Sequence, residues 1–234
     1  MTALCALIFG VTQGCVDSTR DPEMDRADSS ASEVVVVPPV LNLSNSRDFD
    51  PLKVTDILAS ELQNFPGIMV IPVNRTLAAL TAMNKRSIET PDDAIALAEH
   101  FGASACIVMA ITEYNPYDPP AVGVVVQWYE AGSRQNVPTI DPTAASREAT
   151  DFAPAAQELR SRPVWQFQRV YNAVQDDVLD DVRRYASERD EHRSPMDWHI
   201  HYKSQELFVR YSCWAALRSI QKERTCEPHG CDKR

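Results

Sequence analysis

Residues 90–114, TPDDAIALAEHFGASACIVMAITEY, carry the pattern on which the fold prediction depends. Thr90 is followed by Pro91 and by an acidic residue at the third helical position, which is typical of a helix that begins with a capping box. Gly102 suits the left-handed position just after a helix. The apolar run at 105–112 then predicts a buried strand. The stretch is therefore predicted to fold as a helix, a tight turn and a strand.

The same alternation of strand and helix precedes this stretch. Residues 34–37 are a run of valines closed by two prolines and predict a buried strand. Asp50 and Pro51 form the N-cap and first position of a helix whose apolar side chains recur at spacings of three and four. A second strand at 68–73 and a short helix capped by Asn74 follow. Strands connected by helices in this order favour right-handed crossovers, so we expect the first three strands to be parallel.

Two further strands extend the predicted sheet by antiparallel pairing. Valines alternate with other residues at 122–129 in the fourth strand, and a turn leads to a weak fifth strand at 137–140. Residues 141–162 show no apolar period typical of a strand or a helix, and we interpret them as a long surface loop. The expected body is thus an α/β domain at residues 34–140 with a mixed sheet in two or three layers.

A C-terminal helical hairpin is predicted for residues 163–222. Apolar residues from Trp165 to Tyr185 follow one helical stripe for about five turns, and Pro195 opens a last helix with a second apolar face. Neither helix can bury its aromatic face alone, so the face must dock on the sheet, on the other helix of the hairpin or on another chain. The last alternative would make the protein a homo-oligomer. Residues 223–234 form a polar tail.

Residues 1–15 are predicted to be a signal peptide with a lipobox. Its apolar run at 3–11 is too short to span a bilayer, which needs about 20 residues. The run ends at Thr-Gln-Gly-Cys15, and a small residue before a cysteine resembles a bacterial lipobox, in which the thiol is acylated. No Lys or Arg precedes the run, which a start codon upstream of Met1 would explain, and Thr12 stands where such boxes prefer Leu. The alternative is a buried first element with an incidental cysteine.

The next segment, residues 16–33, is rich in Asp, Ser, Glu and Arg and has no apolar period. Such a composition is typical of a solvated tether between an anchor and a folded body. Together with a lipid on Cys15, it predicts that the body is held at a membrane.

The composition argues against several functional classes. The 234 residues include 33 acidic and 23 basic side chains, a net charge of −10 that repels phosphate backbones, so no nucleic-acid partner is expected. None of the seven glycines belongs to a nucleotide-binding loop motif. The usual hydrolase motifs are missing as well. We therefore expect no cofactor and no enzymatic activity.

A cluster of histidines and carboxylates precedes the last helix. It comprises Asp190, Glu191, His192, Asp197, His199 and His201. Two histidines separated by one residue point to nearly opposite sides of a helix, so a solvated polar turn is favoured over a metal site. The alternative function is a secreted hydrolase that uses these side chains between the sheet edge and the helical hairpin.

The cysteines divide into core and tail positions. Cys226 and Cys231 flank a four-residue polar loop, and a disulfide is the simplest interpretation in an oxidising compartment. A zinc half-site that adds His229 is the alternative. Cys106 and Cys213 fall within an apolar strand and helix, which favours a packing role for both.

The loop at 113–120, EYNPYDPP, is the predicted recognition site. It follows the third strand, at the edge where open α/β sheets usually present their ligands. Tyr114 and Tyr117 stand there on a proline-stiffened backbone, and rigid aromatic side chains are common anchors of protein interfaces. The alternative is that both tyrosines cover the edge of the core.

Four stretches of the chain resemble a known small α/β domain: VVVVPPVLNLS, PGIMVIPVNRTLAAL, the helix and strand at 90–114, and VVVQWYEAGS. The domain is shared by the N-terminal part of TolB, the curli-secretion lipoprotein CsgG and the LpoB-type activators of penicillin-binding proteins. The resemblance covers residues 34–137 and includes the turn at 101–104. It implies a noncatalytic, lipid-anchored module of the bacterial envelope that faces the periplasm and contacts other envelope proteins. The two C-terminal helices have no counterpart in it.

Overall fold

The computed structural model describes residues 32–132, 162–189 and 195–226. Its strands are β1 (Glu33–Val36), β2 (Leu41–Asn42), β3 (Ile68–Val70), β4 (Ala105–Asn115), β5 (Ala121–Glu130) and β6 (Trp165–Asn172). Its helices are α1 (Pro51–Gln63), α2 (Val73–Ala82), α3 (Pro91–Phe101), α4 (Asp176–Glu188), α5 (Ile200–Lys203) and α6 (Gln205–Cys226), and a 3-10 turn (Asp197–His199) precedes α5.

The strands form one mixed sheet in the order β3-β1-β4-β5-β6, with the short β2 beside β4. β1 pairs in parallel with β3 and with β4, and β5 pairs in antiparallel fashion with β4 and β6. This confirms the predicted α/β class, with three parallel strands and an antiparallel extension. The predicted fifth strand at 137–140 lies outside the described residues, and β6 occupies the place next to β5.

The central strand β4 buries both of its faces. Ile107 and Met109 belong to a core shared with α1, α4 and α6, whereas Cys106 and Val108 belong to a second core under α2 and α3. Successive side chains of a strand point to opposite faces, so the two cores lie on opposite sides of the sheet. The domain therefore has three layers, with helices on both faces.

The stretch at 90–114 folds as its sequence predicts. The Thr90 hydroxyl accepts a hydrogen bond from the Asp93 backbone N–H at 3.3 Å, and the Asp93 carboxylate accepts one from the Thr90 N–H at 3.1 Å. Gly102 ends α3 with φ of 61°. The predicted cap of α2 is wrong, because Pro72 occupies the N-cap and Asn74 lies within the first turn.

The capping box is expected to make stability depend on pH. Burial alone would raise the pKa of Asp93, but hydrogen bonds from Lys85 and from two backbone N–H groups lower it. A folded pKa below the unfolded value of about 3.9 stabilises the fold above that pH, and the contribution is lost as pH falls through the folded pKa. Asp93→Asn should therefore lower the free energy of unfolding by about 1 kcal/mol at pH 7 and by less near pH 3.

Urea unfolding at the two pH values measures this difference. Asp56→Asn is the matched control, because Asp56 is exposed in the middle of α1 and its substitution should change stability by no more than about 0.5 kcal/mol. An effect of Asp93→Asn that stays constant or grows as pH falls would contradict the assigned role.

The helix predicted from Trp165 to Tyr185 is wrong over its first half. Residues 165–172 are β6, which pairs with residues 121–128 of β5. After β6, the Asn172 side chain accepts a hydrogen bond from the Val174 N–H at 3.0 Å and closes a turn before α4 begins. The region predicted as a helical hairpin thus supplies one strand of the sheet in addition to its helices.

The aromatic face of the C-terminal helices docks within the chain. Tyr185 of α4 packs against Tyr211 and Trp214 of α6, with ring centroids 5.8 and 5.0 Å apart. Helix α6 also packs on α1, β5 and β6. The aromatic face therefore packs on two of the three predicted surfaces, namely the other C-terminal helix and the sheet. No helix in the described ranges has both the length and the apolar character needed to cross a membrane.

Candidate functional site

A β-bulge in β4 decides where Tyr114 lies. The pairing of β4 with β5 shifts between Ile111 and Glu113, which leaves Thr112 as an extra residue. Ile111 lies opposite Val124, and beyond the bulge Tyr114 lies opposite Val122. Side chains alternate between the two faces of a strand, so one inserted residue moves every later side chain of that strand to the opposite face. Tyr114 therefore joins the face covered by α1 and α6, where an unbroken strand would have placed Glu113.

Gly123 provides the space that this bulge needs. A Cβ at this position would lie 2.6 Å from the Thr112 Oγ1 and 3.0 Å from the Glu113 backbone N. Both distances are shorter than the van der Waals contact of these atoms. The position of Tyr114 thus depends on a glycine in the neighbouring strand.

Tyr114 stands at the wall of a surface pocket with an empty volume of about 400 Å³. Its ring packs edge-on against Phe49, with centroids 5.2 Å apart, and its hydroxyl accepts a hydrogen bond from the Gln205 side chain. The pocket lies between the start of α1, the end of β4 and the start of α6. Its lining comprises Asp48, Asp50, Lys53, Val54, Ile57, Tyr114, Gln205, Glu206 and Val209.

Charged and neutral polar groups share this pocket. Lys53 of α1 and Glu206 of α6 form an ion pair at 2.8 Å, which raises the pKa of Lys53 and lowers the pKa of Glu206. Burial raises the pKa of Tyr114, so its hydroxyl remains neutral and can donate or accept a hydrogen bond. The pocket lining contains no His, Cys or Ser side chain. Its chemistry suits hydrogen-bonded recognition of a ligand.

The loop beside the pocket holds Tyr117 outward. The Asn115 side chain accepts a hydrogen bond from the Tyr117 N–H at 3.2 Å and donates one to the Pro119 carbonyl at 3.3 Å. Asp118 forms an ion pair with Lys203 of α5 at 2.6 Å. Tyr117 is 71% exposed. The two predicted tyrosines therefore differ, since Tyr114 covers the core edge and Tyr117 projects from an anchored loop.

The cysteine predictions have mixed outcomes. Cys106 and Cys213 are free and fully buried, as predicted, and burial raises the pKa of both thiols. Cys226 is the last residue of α6, whereas Cys231 and His229 lie outside the described residues, so the disulfide and the zinc half-site stay predictions. Cys15, the predicted lipid anchor, also lies outside them.

The two histidines of the predicted cluster that fall in the described ranges occupy different environments. His199 is exposed and stacks on Trp198 with ring centroids 4.0 Å apart. His201 is buried and packs edge-on against Tyr185 at 5.4 Å. His192 lies outside the described residues. Within them, no group of three His, Cys, Asp or Glu side chains is placed to hold a metal ion.

A buried carboxylate was missed by the sequence interpretation. Glu61 of α1 is 1% exposed and forms ion pairs with Arg189, just after α4, and with Arg210 of α6, the latter at 3.1 Å. The Tyr185 hydroxyl lies 3.5 Å from the same carboxylate. The signal was present, because Glu61 follows Ile57 by four residues and lies on the apolar stripe of α1. A charge within an apolar stripe indicates a buried partner.

The fold and the pocket together define a three-layer α/β domain with an exposed loop at the carboxyl end of its central strand. Neither a protein-family model nor a curated protein matches the sequence.

Several solved structures are similar to parts of the chain at low sequence identity. The C-terminal domain of LpoB from Salmonella enterica is 16% identical, with a TM-score of 0.41, over 62% of this chain and 85% of that one. Lipoprotein GNA1162 from Neisseria meningitidis is 13% identical, with a TM-score of 0.41, over 67% and 94%. The hypothetical protein CT253 from Chlamydia trachomatis is 12% identical, with a TM-score of 0.39, over 84% and 97%. These similarities are distant.

Proposed function

We propose that this protein is a lipid-anchored protein of the bacterial envelope that binds another envelope protein through Tyr117 and the Tyr114 pocket. The observation that carries the proposal is a 71% exposed tyrosine on a loop held by the Asn115–Pro119 hydrogen bond and by the ion pair of Asp118 with Lys203. A side chain on a fixed backbone loses little conformational entropy on binding, and tyrosine is enriched among the residues that dominate interface energies.

The pocket next to Tyr117 extends this surface. Gln205, which bonds Tyr114, and Lys203, which bonds Asp118, lie two residues apart at the junction of α5 and α6. The loop and the pocket therefore meet at one edge of the molecule. Their polar groups and the aromatic Tyr117 match the usual composition of an interface, in which a few aromatic anchors lie among polar contacts.

The lipid anchor is supported by the sequence. Cys15 follows the apolar run at 3–11 in a lipobox-like context, and the polar residues 16–33 come after it. The resemblance of residues 34–137 to domains of envelope lipoproteins agrees with this location. A tethered body that faces the periplasm would meet its partner at the membrane surface, without needing catalytic groups of its own.

The binding surface is tested by photo-crosslinking from position 117 in cells. Benzoylphenylalanine at Tyr117 is expected to give one dominant protein adduct, identified by mass spectrometry, while the same probe at Met69 should not. Met69 is 56% exposed on the edge strand β3, which does not pair with the strands that flank the Tyr117 loop, so it is a matched control. With the purified partner, Tyr117→Ala should weaken binding by about 2 kcal/mol, and Met69→Ala should leave the affinity unchanged.

Two outcomes would count against this surface. One is the same set of adducts from both probe positions, and the other is a Tyr117→Ala variant with wild-type affinity. An adduct between two copies of this chain would identify the partner as a second subunit.

The anchor is tested separately by fractionation and mass spectrometry. Cys15→Ser is expected to move the protein from the membrane to the soluble fraction, whereas Cys5→Ser should leave it in the membrane. The wild-type protein should carry a diacyl or triacyl group on Cys15. A soluble wild-type protein with an unmodified Met1 would overturn the anchor and leave the binding surface to be judged on its own test.

A further inference from the structure

A groove on the α4 and α6 side of the sheet concentrates positive charge. It has an empty volume of about 570 Å³ and is lined by Arg169, Asp181, Arg184, Trp214, Ala215, Arg218, Ser219 and Lys222. Its lining holds four positive side chains and one carboxylate, and with Asp177, which pairs with Arg169, the local balance is +2 in a chain whose net charge is −10. The basic residues come from three elements, so the sequence alone shows no basic stripe.

Two of the four cations form ion pairs with carboxylates, and within the described part of the chain the other two do not. Arg169 bonds Asp177 at 2.7 Å, and Arg184 bonds Asp181. Within the described residues, neither Arg218 nor Lys222 has a carboxylate partner. These two side chains are four residues apart on α6, a spacing at which like charges destabilise a helix. Their unpaired charge is therefore available to a ligand.

Aromatic rings fix two of the guanidinium groups. Arg169 lies 5.3 Å from the ring centroid of Tyr171, and Arg218 lies 4.9 Å from that of Trp214. A guanidinium held over an aromatic face keeps its N–H donors pointing outward and loses less freedom when it binds. Its planar fork also matches two oxygens of a phosphate group.

We propose that this groove binds a phosphate group, carried either by an anionic phospholipid headgroup or by a soluble phosphate ester. Arg218 and Lys222 supply the unpaired positive charge, and Arg169 and Arg184 form the opposite wall. The acidic remainder of the chain opposes binding only weakly, because charges more than about 10 Å away are screened at 0.1 M salt. The inference concerns a different surface from the Tyr114 pocket and does not depend on the proposed protein partner.

The test uses the full chain with Cys15→Ser, so that no lipid anchor contributes. Calorimetry with inorganic phosphate and flotation with phosphatidylglycerol vesicles are the two arms, and phosphatidylcholine vesicles are the neutral control. Arg218→Glu/Lys222→Glu should weaken binding by about tenfold or more in the arm that is positive. Arg75→Glu/Arg86→Glu changes net charge equally at exposed positions of the α2 region, on the other side of the sheet, and should stay within about twofold of the parent.

Each pattern of results has one meaning. Binding to phosphatidylglycerol vesicles alone supports a lipid headgroup, and binding to inorganic phosphate supports a soluble ester. Binding in neither arm, or an equal loss in both charge-reversal variants, would overturn the proposal. The milder variant Arg218→Gln/Lys222→Gln should also weaken binding, and it is less prone to misfold than the charge reversal. Thermal unfolding shows whether each variant is folded.

Discussion

Removing both arginines that contact Glu61, in the double variant Arg189→Met/Arg210→Met, is expected to lower the free energy of unfolding by about 4 kcal/mol. The Glu61 carboxylate is 1% exposed, and these two guanidiniums join it to the end of α4 and to α6. A carboxylate left in the core without a positive partner is strongly destabilising, because its desolvation is no longer offset. Urea unfolding at pH 7 measures the loss.

A triple variant separates the buried charge from lost packing. Adding Glu61→Met removes the carboxylate and should recover about half of the loss or more. Arg75→Met/Arg86→Met substitutes two exposed arginines without a carboxylate partner in the described structure and should change stability by no more than about 1 kcal/mol. A triple variant as unstable as the double one would show that the charge of Glu61 is not the cause.

The elements that the sequence predicts correctly carry their signals locally. In α3, the cap at Thr90, the acidic third position and the terminating Gly102 all lie within one short segment, and the structure shows each of them in use. The valine run of β1 and the cap of α1 at Asp50 are equally local. Where a few adjacent residues decide the backbone, sequence and structure agree.

β6 shows how a local pattern can point to the wrong element. Its residues Trp165, Phe167 and Tyr171 fit a strand period, but they also continue into the true helical stripe of α4. What selects the strand is the pairing with β5, including a hydrogen bond between the Gln127 and Gln166 side chains at 3.0 Å. That partner lies some forty residues earlier, beyond the reach of a periodicity argument.

The candidate site was predictable in position and not in detail. The loop at 113–120 follows the central strand, and its place at the sheet edge comes from the order of strands and helices alone. The inward position of Tyr114 depends on the bulge at Thr112 and therefore on contacts between two strands. The outward position of Tyr117 depends on the hydrogen bonds of Asn115 within the loop. The sequence does not predict the basic groove, because only tertiary packing brings Arg169 beside Arg218.

Gly123→Ala is expected to lower the free energy of unfolding by about 2 kcal/mol and to disturb the strand that carries Tyr114. The new Cβ would lie 2.6 Å from the Thr112 Oγ1 and 3.0 Å from the Glu113 backbone N, and a backbone atom cannot move aside as a side chain can. The bulge must therefore shift, and amide hydrogen exchange at residues 113–115 should accelerate.

Gly102→Ala is the control that distinguishes steric overlap from backbone conformation as the cause of the Gly123→Ala effect. Gly102 has φ of 61°, and a Cβ added there would have nothing within 4 Å, so Gly102→Ala should cost about 1 kcal/mol and leave exchange at 113–115 unchanged. Adding Thr112→Ala to Gly123→Ala removes the nearest contact and should restore part of the stability, while the Glu113 contact keeps the rest of the effect. Wild-type exchange at 113–115 in Gly123→Ala would mean that the bulge, and with it the position of Tyr114, does not depend on this glycine.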